Sequence, residues 1–240
     1  MKINLSSLTL EITRRCNMKC EHCLRGMAQK VDMDFEIINK LTQQTDKIYS
    51  LTLTGGEPSL NADAIGHLRH AMYFHCCELG NFWLTTNARF FKPDFYDEIQ
   101  WLYGVCSEKE ACVLTISGDQ FHTHHSNVAY EKYWELPFFS NERMSDIPYE
   151  RILDEGYARK NNYGSYERNP TTKLYDTHYI SDDDELYVGD LIYVNAKGDV
   201  LLDCDLSYAN QRKYAVGNIL KSNLRDILLK LMDENVSTVA

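Results

Sequence analysis

The first 120 residues alternate four short strands with three helices, and this alternation constrains the fold more than any other feature of the sequence. The predicted elements are strands at 8–12, 49–54, 82–86 and 112–117, helices at about 35–48 and 61–79, and a third helix opening at Pro93. Strands that alternate with helices favour a parallel sheet wrapped by helices. Because ligands bind beyond the carboxyl ends of such strands, we expect an α/β fold with its site at that edge.

The second half of the sequence has a weaker pattern. Residues 128–160 are mainly helical in pattern, whereas no strand is predicted between residues 161 and 185. Residues 191–195 and 199–203 predict a β-hairpin around a glycine turn, and Asn223 caps a final helix. The predicted parts are a core over 1–160, a loop or insertion over 161–190, and an extension over 191–240 that packs on the core.

The net charge of the chain limits the classes of molecule that it is expected to bind. Its 240 residues include 35 acidic and 25 basic side chains, so the formal net charge is −10. This balance argues against a broad nucleic-acid-binding surface and leaves a peptide or a small molecule as the partner. No window approaches the ~18 apolar residues of a membrane span, and the start lacks the apolar stretch of a signal peptide. We therefore expect a cytoplasmic protein with no membrane partner.

Eight cysteines are many for such a protein, and three of them lie within eight residues, at Cys16, Cys20 and Cys23. In a reducing compartment, clustered cysteines bind metal more often than they form disulfides. Three thiolates in one loop can hold three corners of a [4Fe–4S] cluster and leave one iron open to a ligand. The alternative is a zinc site that adds His22, which is weaker because zinc sites usually pair two separated knuckles. The other cysteines are scattered without metal-ligand spacing: Cys76, Cys77, Cys106, Cys112 and Cys204.

Polar motifs also follow the other predicted strands. Gly55–Glu57 follows the second strand, Asn87 follows the third, and Ser117 and Asp119 lie at the end of the fourth. The carboxyl ends of parallel strands meet at one edge of a sheet, so these residues are expected to converge with the three cysteines. That convergence is the strongest functional argument in the sequence, because no single motif is sufficient: Gly55–Pro58 alone, for example, would be interpreted as a turn after a strand.

These motifs resemble those of the radical S-adenosylmethionine (radical SAM) superfamily. Leu10–Cys23 resembles the superfamily signature, Leu53–Pro58 resembles its second motif, and Thr85–Asn87 and Ile116–Asp119 resemble two further ones. The resemblance implies a partial (β/α) barrel with a C-terminal β-hairpin and helix. Only four of the family's six units are identified, so either the barrel is shortened or residues 161–190 conceal a strand.

The resemblance also implies a chemistry. One [4Fe–4S] cluster on Cys16, Cys20 and Cys23 would bind the amino and carboxylate groups of S-adenosylmethionine at its open iron. An electron from a donor such as flavodoxin or ferredoxin would then cleave the sulfonium bond. The 5′-deoxyadenosyl radical released would abstract hydrogen from a substrate C–H bond.

Further residue roles follow from the same resemblance. The backbone of Gly55 and Gly56 and the carboxylate of Glu57 would face the methionine ammonium group. Asn87 and Ser117 would bind the ribose hydroxyls or the methionine carboxylate. His22 takes a position usually held by an aromatic residue near the adenine. Asp119 is counted with the cofactor-binding residues. His122 is not part of a family motif, but it follows the fourth strand near the expected mouth of the site, where it would bind substrate or transfer a proton.

The C-terminal residues suggest the substrate class. Residues 193–204 and 215–219 resemble the tail of radical SAM enzymes with a SPASM or twitch extension, which often modify ribosomally made peptides. Only Cys204 lies in that region, so no second cluster is predicted there. We interpret Cys204 as a loop or strand cysteine, with donation of a hydrogen atom to a substrate radical as the alternative. The competing functions are a radical SAM enzyme acting on a nucleotide-derived or other small molecule, and a non-catalytic zinc-stabilised binding module.

Overall fold

One sheet of nine strands organises the part of the chain that the computed structural model describes, which is residues 2–122, 125–175 and 177–236. The elements are β1 (Ile3–Thr13), α1 (Phe35–Gln44), β2 (Thr45–Gly55), α2 (Ala62–His75), β3 (Glu78–Thr86), α3 (Pro93–Val105), β4 (Val113–Ile116), α4 (Asn127–Trp134), β5 (Phe139–Ser140), α5 (Gly156–Lys160), β6 (His178–Ile180), β7 (Leu186–Val194), β8 (Asp199–Leu201), α6 (Tyr208–Gln211), β9 (Gly217–Asn218) and α7 (Leu224–Val236).

The strands run in the order β5-β4-β3-β2-β1-β7-β8-β9, and β6 pairs with β7. Neighbouring strands from β5 through β1 to β7 are parallel, whereas β6, β8 and β9 are antiparallel to their partners. Among the described strands, no pairing joins β5 to β9, so the sheet stays open. The predicted α/β fold with a partial barrel is confirmed, as are the C-terminal hairpin and helix.

The helices pack on the sheet through apolar residues at helical spacing. Asp34 caps α1 by accepting a hydrogen bond from the Glu36 amide, and the buried face of α1 carries Ile37, Ile38 and Leu41. The strand β1 lies at the centre of the sheet, and nine of its eleven residues are buried. Its carboxyl end therefore has a rigid base, from which the cysteine loop departs. No described helix is both long and apolar enough to cross a membrane.

Two predicted helices end earlier than their apolar pattern suggests. Ile48 and Leu79, which continue the helical spacing, are buried residues of β2 and β3. The second helix stops at Cys76, whose backbone adopts the left-handed conformation with φ of 56°. Apolar spacing alone cannot place such ends, because a buried strand continues the run of apolar residues.

The predictions after Gly118 need more correction. Residues 128–160 are mostly irregular, with α4 and α5 separated by β5 and a 3₁₀ turn after Pro148. The stretch predicted to lack strands contains β6, and β7 begins at Leu186, so the region does conceal a parallel strand beside β1. The hairpin around Gly198 is confirmed, and that glycine has the positive φ of 81° that the turn requires.

Candidate active site

A cavity of about 470 Å³ lies at the carboxyl ends of the parallel strands. It is lined by the residues that the sequence singled out: Cys16, Cys20, His22, Cys23, Gly55, Gly56, Glu57, Asn87, Ser117, Asp119 and His122. Cys204 is the one predicted site residue that is not among the described residues lining it. The topology therefore brings four separate strand ends into one site.

The three cysteines are presented by a loop that leaves β1 and returns beside it. The Arg14 amide donates to the Val31 carbonyl over 2.7 Å, and the Gln29 amide donates to the Arg14 carbonyl over 2.9 Å. These bonds close the base of the loop, so its cysteine-bearing tip is held over the cavity. All three thiols are partly exposed.

The thiols are unfavourable places for negative charge without a compensating metal. Burial, together with repulsion from Cys23, Cys16 and Asp119, raises the pKa of the Cys20 thiol to about 12. Burial also raises the pKa of Cys16. Metal binding requires deprotonated thiolates, and an iron–sulfur core would supply the positive charge that offsets their repulsion. The donor set therefore fits a metal cluster held by three cysteines.

Gly56 allows the end of β2 to lie against the cysteine loop. Its amide donates to the Thr13 carbonyl over 2.9 Å, and the next amide donates to the Arg15 carbonyl over 2.8 Å. A Cβ at Gly56 would lie 2.3 Å from the Arg15 carbonyl oxygen and 3.0 Å from the Cys16 Cβ. Only glycine fits this close approach, so the requirement for glycine at this position is steric and does not come from an unusual backbone conformation.

The carboxylate of Glu57 is buried and engaged by the protein. It accepts hydrogen bonds from the Thr86 hydroxyl over 2.6 Å, the Asn87 amide over 2.8 Å and the Ser59 amide over 3.1 Å. These bonds join the ends of β2 and β3. In this arrangement Glu57 positions Asn87, and a direct contact of its carboxylate with a ligand stays a prediction.

Asn87 joins the third strand end to the cysteine loop. Its side-chain amide donates to the Asn17 side chain over 2.8 Å. Ser117 is held through its backbone amide, which donates to the Thr86 carbonyl over 2.9 Å, and its half-buried side chain lines the cavity. The roles of Asn87 and Ser117 toward a ribose or a carboxylate stay predictions.

A contact that the sequence did not predict joins Asp119, His122 and Cys20. His122 Nδ1 lies 2.8 Å from the Asp119 carboxylate, and its Nε2 lies 3.3 Å from the Cys20 sulfur. Although burial opposes it, the hydrogen bond from His122 lowers the pKa of Asp119. His122 is thereby oriented toward the cysteine loop, 102 residues away in sequence.

His22 forms an aromatic contact rather than a fourth ligand beside the cysteines. Its ring stacks on Phe121 with centroids 4.1 Å apart and meets His122 edge-on at 5.3 Å. Burial lowers the pKa of His22 to about 4, so the ring is neutral at pH 7. One ring nitrogen of His22 lies within 4.8 Å of the polar side-chain atoms of Asp119 and His122, so the three residues form one cluster. This position suits stacking better than the zinc site considered above.

The opposite wall of the cavity comes from residues that no sequence motif indicated. They are Arg143, Arg151, Tyr157, Tyr166, Asp205 and Tyr208. Arg143 is held because its carbonyl accepts from the Gly118 amide over 2.9 Å. Tyr208 is only 7% exposed, and its hydroxyl has no hydrogen-bond partner among the described residues. These residues lie after β4 in loops and in helices of at most five residues, which are too short for periodicity to give a signal.

A buried polar network fixes the C-terminal extension beneath this wall. Glu11 in β1 accepts hydrogen bonds from Arg14 over 2.6 Å, from Gln211 over 2.7 Å and from the Tyr193 hydroxyl over 2.5 Å. All four residues are at most 2% exposed. Because these buried polar side chains are hydrogen-bonded to one another, the network holds α6 against the end of β1.

Cys204 lies beside the site without lining its cavity. Burial raises the pKa of its thiol to about 11. Its neighbours Asp203 and Asp205 both pair with the Arg168 guanidinium. A role for Cys204 as a hydrogen-atom donor stays a prediction.

Comparison with known proteins adds two findings. Residues 9–102 match a protein family described as a 4Fe-4S single cluster domain. Among solved structures, the chain is similar to anSMEcpe with bound AdoMet, with a TM-score of 0.55, 12% sequence identity, and coverage of 93% of this chain and 80% of that one. This similarity shows a shared fold.

Two further comparisons give no support for a shared fold or function. The chain is also similar to the Streptococcus suis protein SuiB bound to precursor peptide SuiA, with a TM-score of 0.47, 14% identity, and coverage of 93% of this chain and 64% of that one. That similarity is too low to support an argument. No curated protein matched the chain. The family match and the fold shared with anSMEcpe both agree with the resemblance found in the sequence, because residues 9–102 match a 4Fe-4S single cluster domain and anSMEcpe was solved with bound AdoMet.

Proposed function

We propose that this chain is an enzyme of the radical S-adenosylmethionine superfamily, which binds one [4Fe–4S] cluster on Cys16, Cys20 and Cys23 and cleaves S-adenosylmethionine reductively to abstract hydrogen from a substrate C–H bond. When bound, the cluster would supply the electron that breaks the sulfonium C–S bond, giving methionine and a 5′-deoxyadenosyl radical. The observation that carries the proposal is the convergence of the three-cysteine loop with the strand ends at Gly55–Glu57, Asn87 and Ser117 in one cavity.

The chain's own residues would prepare the site for this reaction. Gly56 lets the end of β2 approach the cysteine loop, so that its backbone could meet the methionine part of the cofactor. Glu57 and Asn87 fix the third strand end beside that loop. Asp119 orients His122 toward Cys20, which makes His122 a positioning residue for the cluster edge or a contact for substrate.

For the substrate we propose a ribosomally made peptide or a protein. The support is the resemblance of the C-terminal residues to SPASM or twitch tails, together with the position of that segment at the cavity wall, where it contributes Asp205 and Tyr208. A cavity of about 470 Å³ cannot enclose both the cofactor and a whole peptide, so one residue of the peptide would enter it. A nucleotide-derived or other small molecule is the competing substrate.

The reaction is tested with protein reconstituted anaerobically with iron and sulfide. We expect a brown protein with about four irons per chain that releases 5′-deoxyadenosine and methionine from S-adenosylmethionine and dithionite. Cys20→Ala should lose both the iron and the cleavage, whereas Cys204→Ser should retain both. Zinc in place of iron, or S-adenosylmethionine left intact after prolonged reduction, would favour the non-catalytic binding module.

The substrate class is tested by measuring which candidate substrate accelerates the cleavage of S-adenosylmethionine. If the 5′-deoxyadenosyl radical abstracts hydrogen from a substrate, we expect a true substrate to accelerate the release of 5′-deoxyadenosine. The reconstituted enzyme is given peptides encoded by short genes adjacent to its own gene, and separately a set of nucleosides and nucleotides. Faster release of 5′-deoxyadenosine with a mass change in a peptide supports the proposal, and a mass change in a nucleoside alone supports the competing substrate.

A further inference from the structure

Tyr208 brings an unsatisfied polar group to the wall of the cavity. The residue is only 7% exposed and lines the cavity, yet its hydroxyl has no hydrogen-bond partner among the described residues. Its ring is held by the Arg14 guanidinium, whose Cζ lies 4.7 Å from the ring centroid. Because buried hydroxyls in proteins are normally hydrogen-bonded, this one is open to a ligand that enters the cavity.

Arg25 lies beside Tyr208 and lines the same cavity. The Tyr208 amide donates to the Arg25 carbonyl over 3.2 Å, and Nη1 of Arg25 donates to the Leu206 carbonyl over 2.7 Å. The guanidinium also packs over the ring of Tyr193, with its Cζ 5.2 Å from the ring centroid. These contacts join the cysteine loop to the start of α6, so Arg25 and Tyr208 are held as neighbours.

The protein does not neutralise the charge of Arg25. This residue forms no ion pair with any residue in the ranges that the structure describes. The buried Glu11 carboxylate, which also lies near Arg25, is paired with Arg14. The carboxylates that line the cavity already have partners, and they are Glu57, Asp119 and Asp205. The guanidinium of Arg25 is therefore able to attract an anion that enters the cavity.

The chemistry of the two side chains defines the ligand. A guanidinium carries five N–H donors and no acceptor, and the Leu206 carbonyl uses one of those of Arg25. The Tyr208 hydroxyl adds a further donor. A carboxylate has two oxygens that accept such hydrogen bonds, and its charge strengthens them. The pair therefore favours a carboxylate over a neutral amide or an apolar group.

We propose that Arg25 and Tyr208 form a subsite that binds a carboxylate group of the substrate. This inference rests on the proposed function, in which the methionine carboxylate of the cofactor is bound at the open iron of the cluster. Tyr208 belongs to the C-terminal extension, the same segment that supports a peptide substrate in that proposal. The carboxylate is then that of an acidic side chain or of the C-terminus of the peptide. It orients the peptide and takes no part in hydrogen abstraction.

The test measures the binding of three tripeptides to the reconstituted protein, with saturating S-adenosylmethionine and without a reductant, so that no turnover occurs. The neutral probe is acetyl-Ala-Gln-Ala-amide. The second probe, acetyl-Ala-Glu-Ala-amide, has a side-chain carboxylate, and the third, acetyl-Ala-Gln-Ala, has only a C-terminal carboxylate. Ligand-observed NMR titrations give each Kd, and comparison of the second and third probes distinguishes the two sources of the carboxylate.

The variants remove the donors one at a time. Tyr208→Phe removes the hydroxyl and keeps the ring, and Arg25→Gln removes the charge and keeps an amide that can donate to the Leu206 carbonyl. The matched controls are Tyr133→Phe, a fully buried tyrosine outside the described lining of the cavity, and Arg212→Gln, an exposed arginine of the same extension. If circular dichroism shows that Arg25→Gln does not fold, Tyr208→Phe alone decides the outcome.

We expect the wild-type protein to bind at least one of the two carboxylate peptides about tenfold more tightly than the neutral peptide. This preference should fall below about twofold in Arg25→Gln and should fall about threefold in Tyr208→Phe. Both controls should keep the wild-type preference. The affinity for S-adenosylmethionine, measured by equilibrium dialysis, should be equal in all five proteins.

Other outcomes would overturn the inference. Equal binding of the three peptides by the wild-type protein would show that it has no such subsite. A preference that survives in either variant would place the carboxylate elsewhere, and an equal loss in the controls would show a general effect of substitution. Weaker binding of S-adenosylmethionine in the two variants alone would assign the subsite to the cofactor.

Failure of the proposed function would be a separate result. Protein that takes up no iron, or that leaves S-adenosylmethionine intact when a reductant is added, contradicts the proposed function. The same peptide titrations on that protein still decide whether Arg25 and Tyr208 bind a carboxylate, because their contacts lie within the chain itself.

Discussion

At the scale of single residues, the polar atoms around the cavity are mostly satisfied by one another, and the exceptions are informative. Glu57 has three donors, and His122 has a partner at each ring nitrogen. The Tyr208 hydroxyl is buried without a partner among the described residues. A buried unpaired hydroxyl costs about 1–3 kcal/mol of stability, so a fold keeps one at a site more readily than in a structural core.

This contrast predicts opposite effects for two buried tyrosines. Tyr208→Phe should leave the free energy of unfolding of the iron-free protein unchanged or raise it by about 1 kcal/mol, because it removes an unpaired donor. Tyr193→Phe should lower it by about 1–3 kcal/mol, since the hydroxyl of Tyr193 donates to the buried Glu11 carboxylate. Urea unfolding measures both. Equal destabilisation by the two changes would mean that the Tyr208 hydroxyl is structural.

At the scale of elements, the site depends on the close approach of the end of β2 to the cysteine loop. Gly56→Ala would place a methyl group 2.3 Å from the Arg15 carbonyl oxygen, so the backbone must separate. We expect a loss of stability of about 2–4 kcal/mol and a lower iron content after reconstitution. Both are measured on the same preparations, by urea unfolding and by iron analysis.

A second glycine provides the control for this prediction. Gly104 is exposed in α3, and a Cβ there would meet nothing within 4 Å. Gly104→Ala should therefore stabilise the protein by about 0.5–1 kcal/mol and leave its iron content unchanged. If Gly56→Ala retained iron and stability like this control, the contact between β2 and the cysteine loop would not matter to the site.

The sequence predicts correctly those elements whose apolar residues recur at the spacing of a strand or a helix. The first four parallel strands and the convergence of their polar ends follow from alternation and from the geometry of parallel sheets. Only the second half of β7 is predicted, as the first strand of the hairpin, because its alternation breaks at Gly189 and Asp190, which are only partly buried. Its pairing with β1 also changes register between Leu5 and Ser7, and no local pattern encodes such a shift.

The contact of His122 with Cys20, and the site residues that the sequence did not indicate, have a similar explanation. His122 meets Cys20, and Tyr208 faces the cavity, only because segments more than 100 residues apart are folded together. Arg143 and Arg151 lie in irregular chain after β5, where neither periodicity nor a motif marks them. Motifs located the strand-end residues, whereas the opposite wall required the tertiary structure.

At the scale of the whole molecule, the C-terminal extension and the core share one sheet. β7 pairs with β1 from Ile3 to Leu10, and the buried bonds of Glu11 to Tyr193 and Gln211 continue the connection beyond the strand. Two domains joined by a linker would lack such a shared core. We therefore propose that the extension predicted over 191–240 unfolds together with the core, in one cooperative transition.

The tryptophans make this proposal measurable, because Trp83, Trp101 and Trp134 all lie before the extension. Ile192→Ala removes a fully buried side chain from β7 and should destabilise the protein by about 2–5 kcal/mol. If the sheet unfolds as one unit, the midpoint followed by tryptophan fluorescence shifts as far as the midpoint followed by far-ultraviolet circular dichroism. Lys213→Ala, an exposed change in the same extension, should shift neither. A fluorescence midpoint that stays at the wild-type value in Ile192→Ala would show that the extension unfolds separately and that the wall of the site can open without loss of the core.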